Sequence, residues 1–182
     1  LASMWKKIEP TADISVITCL GNDENGDRVF KYLKRIGINT QRVYRKNGTT
    51  ACNQLRVDEH GERFGIEGAW NGGVYEDFAL SEDDWKFVET QDIIAVPANN
   101  PNFNELIRRK NENQMLSVDY MDVENEMPIE NSIEKTDIAF IAGRKHLLDY
   151  YEKLANKTEK LLVVTLGAEG SYAFYNNQKY YQ

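Results

Sequence analysis

The chain has 182 residues, 41% of them hydrophobic and 28% charged, which is enough for one globular domain with a sizeable core. Its net charge of −7 argues against a nucleic-acid-binding surface, and no apolar run approaches the length that spans a membrane. The two cysteines, Cys19 and Cys52, lack the spacing of metal ligands, so we expect free thiols in a reducing, cytoplasmic environment. Because the first residue is not an initiator methionine, we expect an interior piece of a longer protein.

The first predicted strand, residues 13–20, is rich in β-branched side chains and runs into an acidic turn at residues 21–26. A helix is predicted over residues 27–36, because apolar side chains recur there at helical spacing and Gly37 stands where a C-cap belongs. The acidic turn lacks the remaining ligands of a calcium loop, so we interpret its carboxylates as caps that compensate the helix dipole. A short strand at residues 41–44 comes next.

The clearest hairpin covers residues 49–58 and 62–66. Its polar alternation predicts a small sheet with one wet face, set apart from the main sheet. A glycine-rich segment that carries Trp70 follows at residues 67–73. Because a small sheet that ends in a flexible hinge can close over a site, we predict a β lid at about residues 41–73. The alternative is a surface hairpin with no gating role.

From residue 81 onward, predicted helices and strands alternate regularly. The apolar strands are predicted at residues 93–98, 115–118, 138–142 and 161–166. The segments between them carry helical periodicity and capping residues, such as the capping box that begins at Ser81. This alternation predicts an α/β fold, with right-handed crossovers and a mostly parallel sheet that has helices on both faces. Ligands of such sheets gather at the carboxyl ends of the strands.

Residues 161–175 form an apolar strand expected to be buried on both faces, a turn with two glycines, and a second apolar strand. Gly167 and Gly170 let the backbone turn sharply and leave amide groups uncovered, which suits the approach of a phosphate or a purine. A plain hairpin turn is the alternative interpretation of the same residues.

Other polar residues stand at predicted strand ends. Asp119 and Asp122 could bind magnesium or a sugar hydroxyl, or could cap the loop that follows. Arg144 and Lys145 could meet a phosphate, or could begin a solvated helix. Neither of the two histidines has a nucleophile at a recognisable motif spacing, and histidines and cysteines together make no zinc motif.

Several stretches, taken in order, resemble the PfkB family of ribokinase-like carbohydrate kinases. Residues 21–26 resemble the Gly-x-Asp-x-x-Gly turn of that family, and residues 49–66 are similar to its β-clasp lid. Residues 163–171, Val-Val-Thr-Leu-Gly-Ala-Glu-Gly-Ser, resemble its nucleotide-side strand and turn. Residues 75–85 resemble the fructoselysine 6-kinase branch in particular. The resemblance spans essentially the whole chain, residues 1–182, as the interior part of one kinase domain.

The resemblance implies an ATP-dependent kinase that transfers the γ-phosphoryl group to a primary hydroxyl of a sugar, with fructoselysine the expected substrate. It implies ATP and Mg²⁺ as cofactors, and we expect Asp119, from its place at a strand end, to be the metal ligand. The residues that it implies are Thr165, Gly167 and Gly170 for the nucleotide and Phe64, Trp70 and Asn71 for the lid and sugar. The exposed face of the lid would gain by being covered. We therefore expect a homodimer in which the lids of two copies of the chain cover each other.

The chain departs from the family pattern in three places. The early Gly-Gly sugar-binding motif is expected before Leu1, and the Gly-Ala-Gly-Asp motif with the catalytic base is expected beyond Gln182. An Asn-x-x-Glu motif associated with magnesium is expected after the strand at residues 138–142, but Gly-Arg-Lys-His stands at residues 143–146. Two alternatives therefore stay open: a family kinase for another sugar or nucleoside, and a non-catalytic ligand-binding relative.

Overall fold

A computed structural model describes residues 2–61, 63–122, 129–158 and 160–182. The chain divides into two compact units, Leu1–Leu80 and Ser81–Gln182. Leu1 itself, and Glu62 at the predicted start of the second hairpin strand, lie outside the described residues. Among the described helices, none has the length and apolar character needed to cross a membrane.

The first unit contains two helices and two small sheets. Its elements are α1 (Ala2–Ile8), β1 (Thr18–Gly21), α2 (Glu24–Arg35), β2 (Val43–Lys46), β3 (Leu55–Val57), β4 (Arg63–Gly65) and a 3₁₀ turn at Gly73–Tyr75. Strand β2 pairs in parallel with β1, whereas β3 and β4 form an antiparallel hairpin. The strand predicted at residues 41–44 therefore forms two residues later and belongs with β1 rather than with the hairpin.

The start of α2 shows the capping role of the acidic turn. Asp23 is the N-cap residue, and its carboxylate accepts a hydrogen bond from the Gly26 amide at 2.8 Å. The helix therefore begins at Glu24, three residues before the predicted start, and the predicted capping role is confirmed. Strand β1 is shorter than predicted, because Ser15 makes only an isolated bridge to Asn39.

The hairpin is also shorter than predicted, with three residues in each strand. Arg56 lies opposite Phe64, and all six strand residues are exposed. Within this unit both faces of the hairpin are therefore exposed, and not only the one that was predicted to be wet. A two-stranded sheet of this length has too little surface to build a core of its own.

The second unit is built on one six-stranded sheet. Its elements are α3 (Glu82–Glu89), β5 (Ile93–Pro97), α4 (Phe103–Arg109), β6 (Met115–Asp122), α5 (Ile129–Ser132), β7 (Ile138–Ala142), α6 (Leu148–Thr158), β8 (Leu161–Thr165), β9 (Ser171–Tyr175) and β10 (Gln178–Tyr181). The spatial order is β10-β9-β8-β7-β6-β5, in which β5 to β8 are parallel and the last two strands are antiparallel. The predicted α/β class with a mostly parallel sheet is confirmed, as is the capping box at Ser81.

The core of this unit lies against one face of the sheet. In β6, β7 and β8 every second residue of the paired segment is fully buried, and one residue of β9 joins them: Leu116, Val118, Tyr120, Ala139, Ile141, Leu162, Val164 and Phe174. On the alternate positions, Met115 and Phe140 remain 44% and 38% exposed. Strand β8 follows the same alternation, so the expectation that it is buried on both faces is wrong. Period-2 burial of this kind belongs to a sheet with one well-covered face.

Candidate functional site

A cleft with a volume of about 510 Å³ opens where β7 and β8 end, at the edge of a parallel sheet where ligands gather. Its lining residues are Ala142, Gly143, Arg144 and Lys145 after β7, and Thr165, Leu166, Gly167 and Glu169 after β8. Two of the three predicted nucleotide residues, Thr165 and Gly167, therefore lie in the same cleft as the basic pair. Gly170 does not line it.

The turn after β8 uses its two glycines for different reasons. Gly167 has a φ of 60°, which L side chains rarely adopt, and a Cβ there would face open space. Gly170 has a φ of 86°, and a Cβ there would lie 2.2 Å from the carbonyl oxygen of Gln182. Ser171 and Gln182 exchange two backbone hydrogen bonds, of 2.8 and 3.0 Å. Gly170 is thus required by the backbone of its own chain, and Gly167 is the glycine that stays open to a ligand.

Thr165 ties the two strand ends together while its side chain remains exposed. Its hydroxyl donates a hydrogen bond to the carbonyl oxygen of Ile141 at 3.3 Å, and its carbonyl oxygen accepts the Gly143 amide at 2.9 Å. Beyond it, the Leu166 amide donates to the Gly170 carbonyl oxygen at 2.8 Å, which closes the turn. The hydroxyl of Thr165 is therefore held at the cleft by a long and partly buried hydrogen bond.

The segment after β7 brings two cations to the cleft, and each has an acidic partner. The Arg144 guanidinium lies 2.6 Å from a carboxylate oxygen of Asp122, and the Lys145 ammonium lies 3.2 Å from Glu169. Both ion pairs are partly exposed, so each contributes little to the stability of the fold. The predicted placement of Arg144 and Lys145 at a strand end is confirmed.

Asp119 lies beside an irregularity in β6, where the pairing with β7 shifts register. Its carboxylate accepts a hydrogen bond from the Met121 amide at 2.8 Å, and Met121 has a φ of 55°. This is the loop-capping role that the sequence left open. In the ranges that the structure describes, no three His, Cys, Asp or Glu side chains form a group that could hold a metal ion. The metal role of Asp119 stays a prediction.

The predicted lid residues share one excursion of the chain. Phe64 and Trp70 are 44% and 57% exposed. Asn71 closes the base of the excursion, because its backbone exchanges two hydrogen bonds of 2.9 Å with Cys52. The carboxamide oxygen of Asn71 also accepts the Gly73 amide at 2.9 Å. A contact of these three residues with a sugar stays a prediction.

Asp23 joins the turn after β1 to the chain before the hairpin. Its carboxylate accepts hydrogen bonds from the Thr50 hydroxyl at 2.6 Å, the Thr50 amide at 2.8 Å and the Gly26 amide at 2.8 Å. These hydrogen bonds, the one from the Thr50 hydroxyl above all, lower the pKa of Asp23 to about 2. The Thr50 hydroxyl in turn accepts the Gly21 amide at 3.0 Å. The turn is therefore a closed joint made from its own chain.

Sequence reasoning missed two residues with clear roles, Thr50 and Glu169. Thr50 contacts Asp23 across 27 positions of sequence, and a separation of that size leaves no local pattern to detect. Glu169 stands inside the predicted nucleotide turn, so its position was visible, but its pairing with Lys145 depends on how β7 and β8 are brought side by side.

Comparison with known proteins identifies the class. The family model described as pfkB family carbohydrate kinase matches residues 9–182, and the chain belongs to that family. A solved ribokinase from Thermotoga maritima superposes with a TM-score of 0.77 at 21% identity, covering 100% of this chain and 63% of the ribokinase. An Arabidopsis thaliana ribokinase complexed with ribose and ATP gives a TM-score of 0.74 at 16% identity, covering 100% and 64%. At these identities the likeness shows the ribokinase-like fold.

Among curated proteins, the chain is similar to fructoselysine 6-kinases. Those of Escherichia coli (strain K12) and Shigella flexneri are each 35% identical to it over 78 residues. The aligned residues cover 43% of this chain and 29% of each relative. The chain thus matches under a third of the length of these curated relatives.

Proposed function

We propose that the protein is an ATP-dependent sugar kinase that transfers the γ-phosphoryl group of ATP to a primary hydroxyl of fructoselysine. The observation that carries the proposal is the cleft at the ends of β7 and β8, which combines the Thr165 hydroxyl, the Gly167 backbone and two cations. Those are the groups that recognise an anionic nucleotide. Membership of the carbohydrate kinase family and the partial similarity to fructoselysine 6-kinases support the reaction and the sugar.

In this proposal the residues at the end of β8 and in the turn that follows have different roles in binding ATP. Thr165 and Gly167 line the nucleotide, and Gly170 fixes the shape of the turn. Asp119 would supply a carboxylate oxygen to a Mg²⁺ ion that binds together with ATP. One protein carboxylate would be sufficient, because magnesium at nucleotide sites is held by one or two carboxylates together with the substrate phosphates. The ion would neutralise phosphate charge, while the protein positions the reactants.

The β lid predicted at about residues 41–73 is the proposed lid of a single kinase domain, and the part that closes is the excursion between Cys52 and Asn71, because β2 is paired with β1. Phe64 and Trp70 present large apolar surfaces that gain when they are covered, and Asn71 anchors the base from which the hairpin moves. Closure of the lid over the sugar excludes water from the transfer. Exposed apolar side chains on both faces of the hairpin, Leu55 and Val57 on one and Phe64 on the other, also support a homodimer through the lid. Two free cysteines fit a cytoplasmic location.

An ATP-consumption assay on the full-length protein tests the proposal. Fructoselysine, ribose, fructose and adenosine are compared, each with Mg²⁺ and with the ion removed by a chelator. We expect turnover with fructoselysine in Mg²⁺ and loss of that turnover in the chelator. Turnover of another acceptor would keep the kinase and overturn the choice of fructoselysine. Tight binding of ATP without turnover of any acceptor would favour the non-catalytic relative.

A further inference from the structure

The position of the two cations at the cleft is fixed by the residue before them. The Gly143 amide donates to the Thr165 carbonyl oxygen at 2.9 Å, which holds the chain after β7 against the end of β8. A Cβ at Gly143 would lie 2.2 Å from Cγ1 of Val164 and 3.0 Å from the ring of Tyr151. Only glycine fits this close approach. Arg144 and Lys145 therefore leave the sheet from an anchored point.

The two cations reach toward opposite neighbours of β7. Arg144 pairs with Asp122, the last residue of β6, and Lys145 pairs with Glu169 in the turn after β8. Strands β6 and β8 flank β7 on its two sides. The positive charge is therefore spread along the strand ends, as an extended chain of phosphates requires, rather than gathered at one point.

The charges favour an anionic ligand over the present partners. The whole chain has a net charge of −7, yet the lining of this cleft contains two cations and one anion, Glu169. The side chains of Arg144 and Lys145 are 40% and 66% exposed, and ion pairs at such exposure are weak. A polyphosphate carries several negative charges and matches a guanidinium in bidentate geometry, so it competes well with a single carboxylate.

We propose that Arg144 and Lys145 bind the phosphate groups of the nucleotide directly, and that the phosphates replace Asp122 and Glu169 as their partners. This inference rests on the proposed function and names the residues that select a nucleotide over its nucleoside. The effect of Glu169 on nucleotide affinity is opposite to that of the two cations. The Glu169 carboxylate competes with phosphate for Lys145 and also repels the phosphate, so removing the charge of Glu169 strengthens nucleotide binding.

Calorimetric titration of the full-length protein with ATP, inorganic tripolyphosphate and adenosine tests this assignment. Lys145→Met and Arg144→Met should each lower the affinity for ATP and tripolyphosphate about tenfold and leave adenosine binding unchanged. Glu169→Gln should raise the affinity for both phosphate ligands about threefold. Lys179→Met is the matched control, because Lys179 lies on β10, outside the cleft, and has a similar partly exposed ion pair with Glu152 of α6. Adenosine binding also reports that each variant is folded.

The outcomes separate this inference from the proposed function. If the wild type binds ATP and adenosine, but the variants at Arg144 and Lys145 bind ATP as tightly as the wild type, the phosphate assignment is overturned and the nucleotide site stands. If the variants lose affinity for ATP and for adenosine by the same factor, the phosphate assignment is overturned too, because the cations would then support only the fold of the cleft. A wild type that binds none of the three ligands overturns both.

Discussion

The turn after β1 and the turn after β8 both contain two glycines, and they are built differently. In the turn after β1, a Cβ on Gly21 would lie 2.3 Å from the Gly48 carbonyl oxygen, and one on Gly26 would lie 2.3 Å from that of Gly21. In the turn after β8, a Cβ on Gly167 would meet nothing within 4 Å. The first turn is filled by its own chain, whereas the second is closed at Gly170 and leaves room at Gly167.

The difference teaches how to weigh a glycine motif. Both turns resemble family motifs, and both contain an acidic residue, yet the acid has a different role in each. Asp23 is held by three hydrogen bonds within its own unit, whereas Glu169 makes an exposed ion pair at a cleft. A turn whose polar groups are satisfied internally is a structural joint, and one with weakly held charges facing a cleft is a candidate binding site.

The largest expected effect comes from filling the closed turn. Gly21→Ala should lower the free energy of unfolding by about 3 kcal/mol or more, because backbone atoms of residues 48–50 surround the new methyl group and cannot move separately. Denaturant unfolding followed by circular dichroism measures this loss. Gly65→Ala is the control, since a Cβ there meets nothing and its φ is ordinary. Equal stability of the two variants would show that the turn after β1 is not close-packed.

A smaller loss in the free energy of unfolding is expected when the pH is lowered. The pKa of Asp23 is about 2 in the folded protein and 3.8 for an unperturbed aspartate, so the folded state binds the proton less tightly. Its contribution to stability is therefore present above about pH 4 and is lost as the pH falls toward 2. Because the Thr50 hydroxyl is the main cause of the lowered pKa, Thr50→Val should be less stable than wild type at pH 5, with a difference that narrows by pH 2.

Unfolding free energies measured between pH 2 and pH 5 check this prediction. Thr50→Ser is the matched control, because it keeps the hydroxyl and should follow the wild-type curve. A difference between Thr50→Val and wild type that stays constant across this range would mean that the charge of Asp23 takes no part in holding the turn.

Local patterns predicted much of the fold and part of the site. The β-branched run before Thr165 and the capping box at Ser81 each depend on residues within a few positions, and both were predicted correctly. The pairing of β2 with β1 was not predicted, because strand pairing depends on contacts between residues that are distant in sequence. The same limit applies to Gly170: its φ was predictable as a turn feature, but the close approach of Gln182 requires β9 and β10 to be paired.

The cleft shows the same division. Thr165, Gly167 and Arg144 could be placed at strand ends from the alternation of elements, since parallel strands end at one edge. That two of those ends lie side by side follows from the register of β7 on β8, where Ala142 lies opposite Thr165. The hydrophobic alternation of each strand decides which side chains are buried, but it is equally satisfied by registers that differ by two residues, so it does not select this one.

The smallest change in stability is expected in the turn after β8. A threonine-to-valine substitution there, like the one at Thr50, should act on ligand binding instead of on stability. Thr165→Val removes a hydroxyl whose hydrogen bond to Ile141 is long, at 3.3 Å, and only partly buried, on a residue that is itself exposed, so the free energy of unfolding should change by about 0.5 kcal/mol or less. If the hydroxyl lines the nucleotide as proposed, the affinity for ATP should fall about threefold, and Thr165→Ser should restore it. Titration calorimetry and denaturant unfolding of both variants measure the two quantities. A loss of stability well above 1 kcal/mol with unchanged ATP affinity would show that Thr165 has a structural role like that of Thr50. The contrast between the two turns would then be wrong.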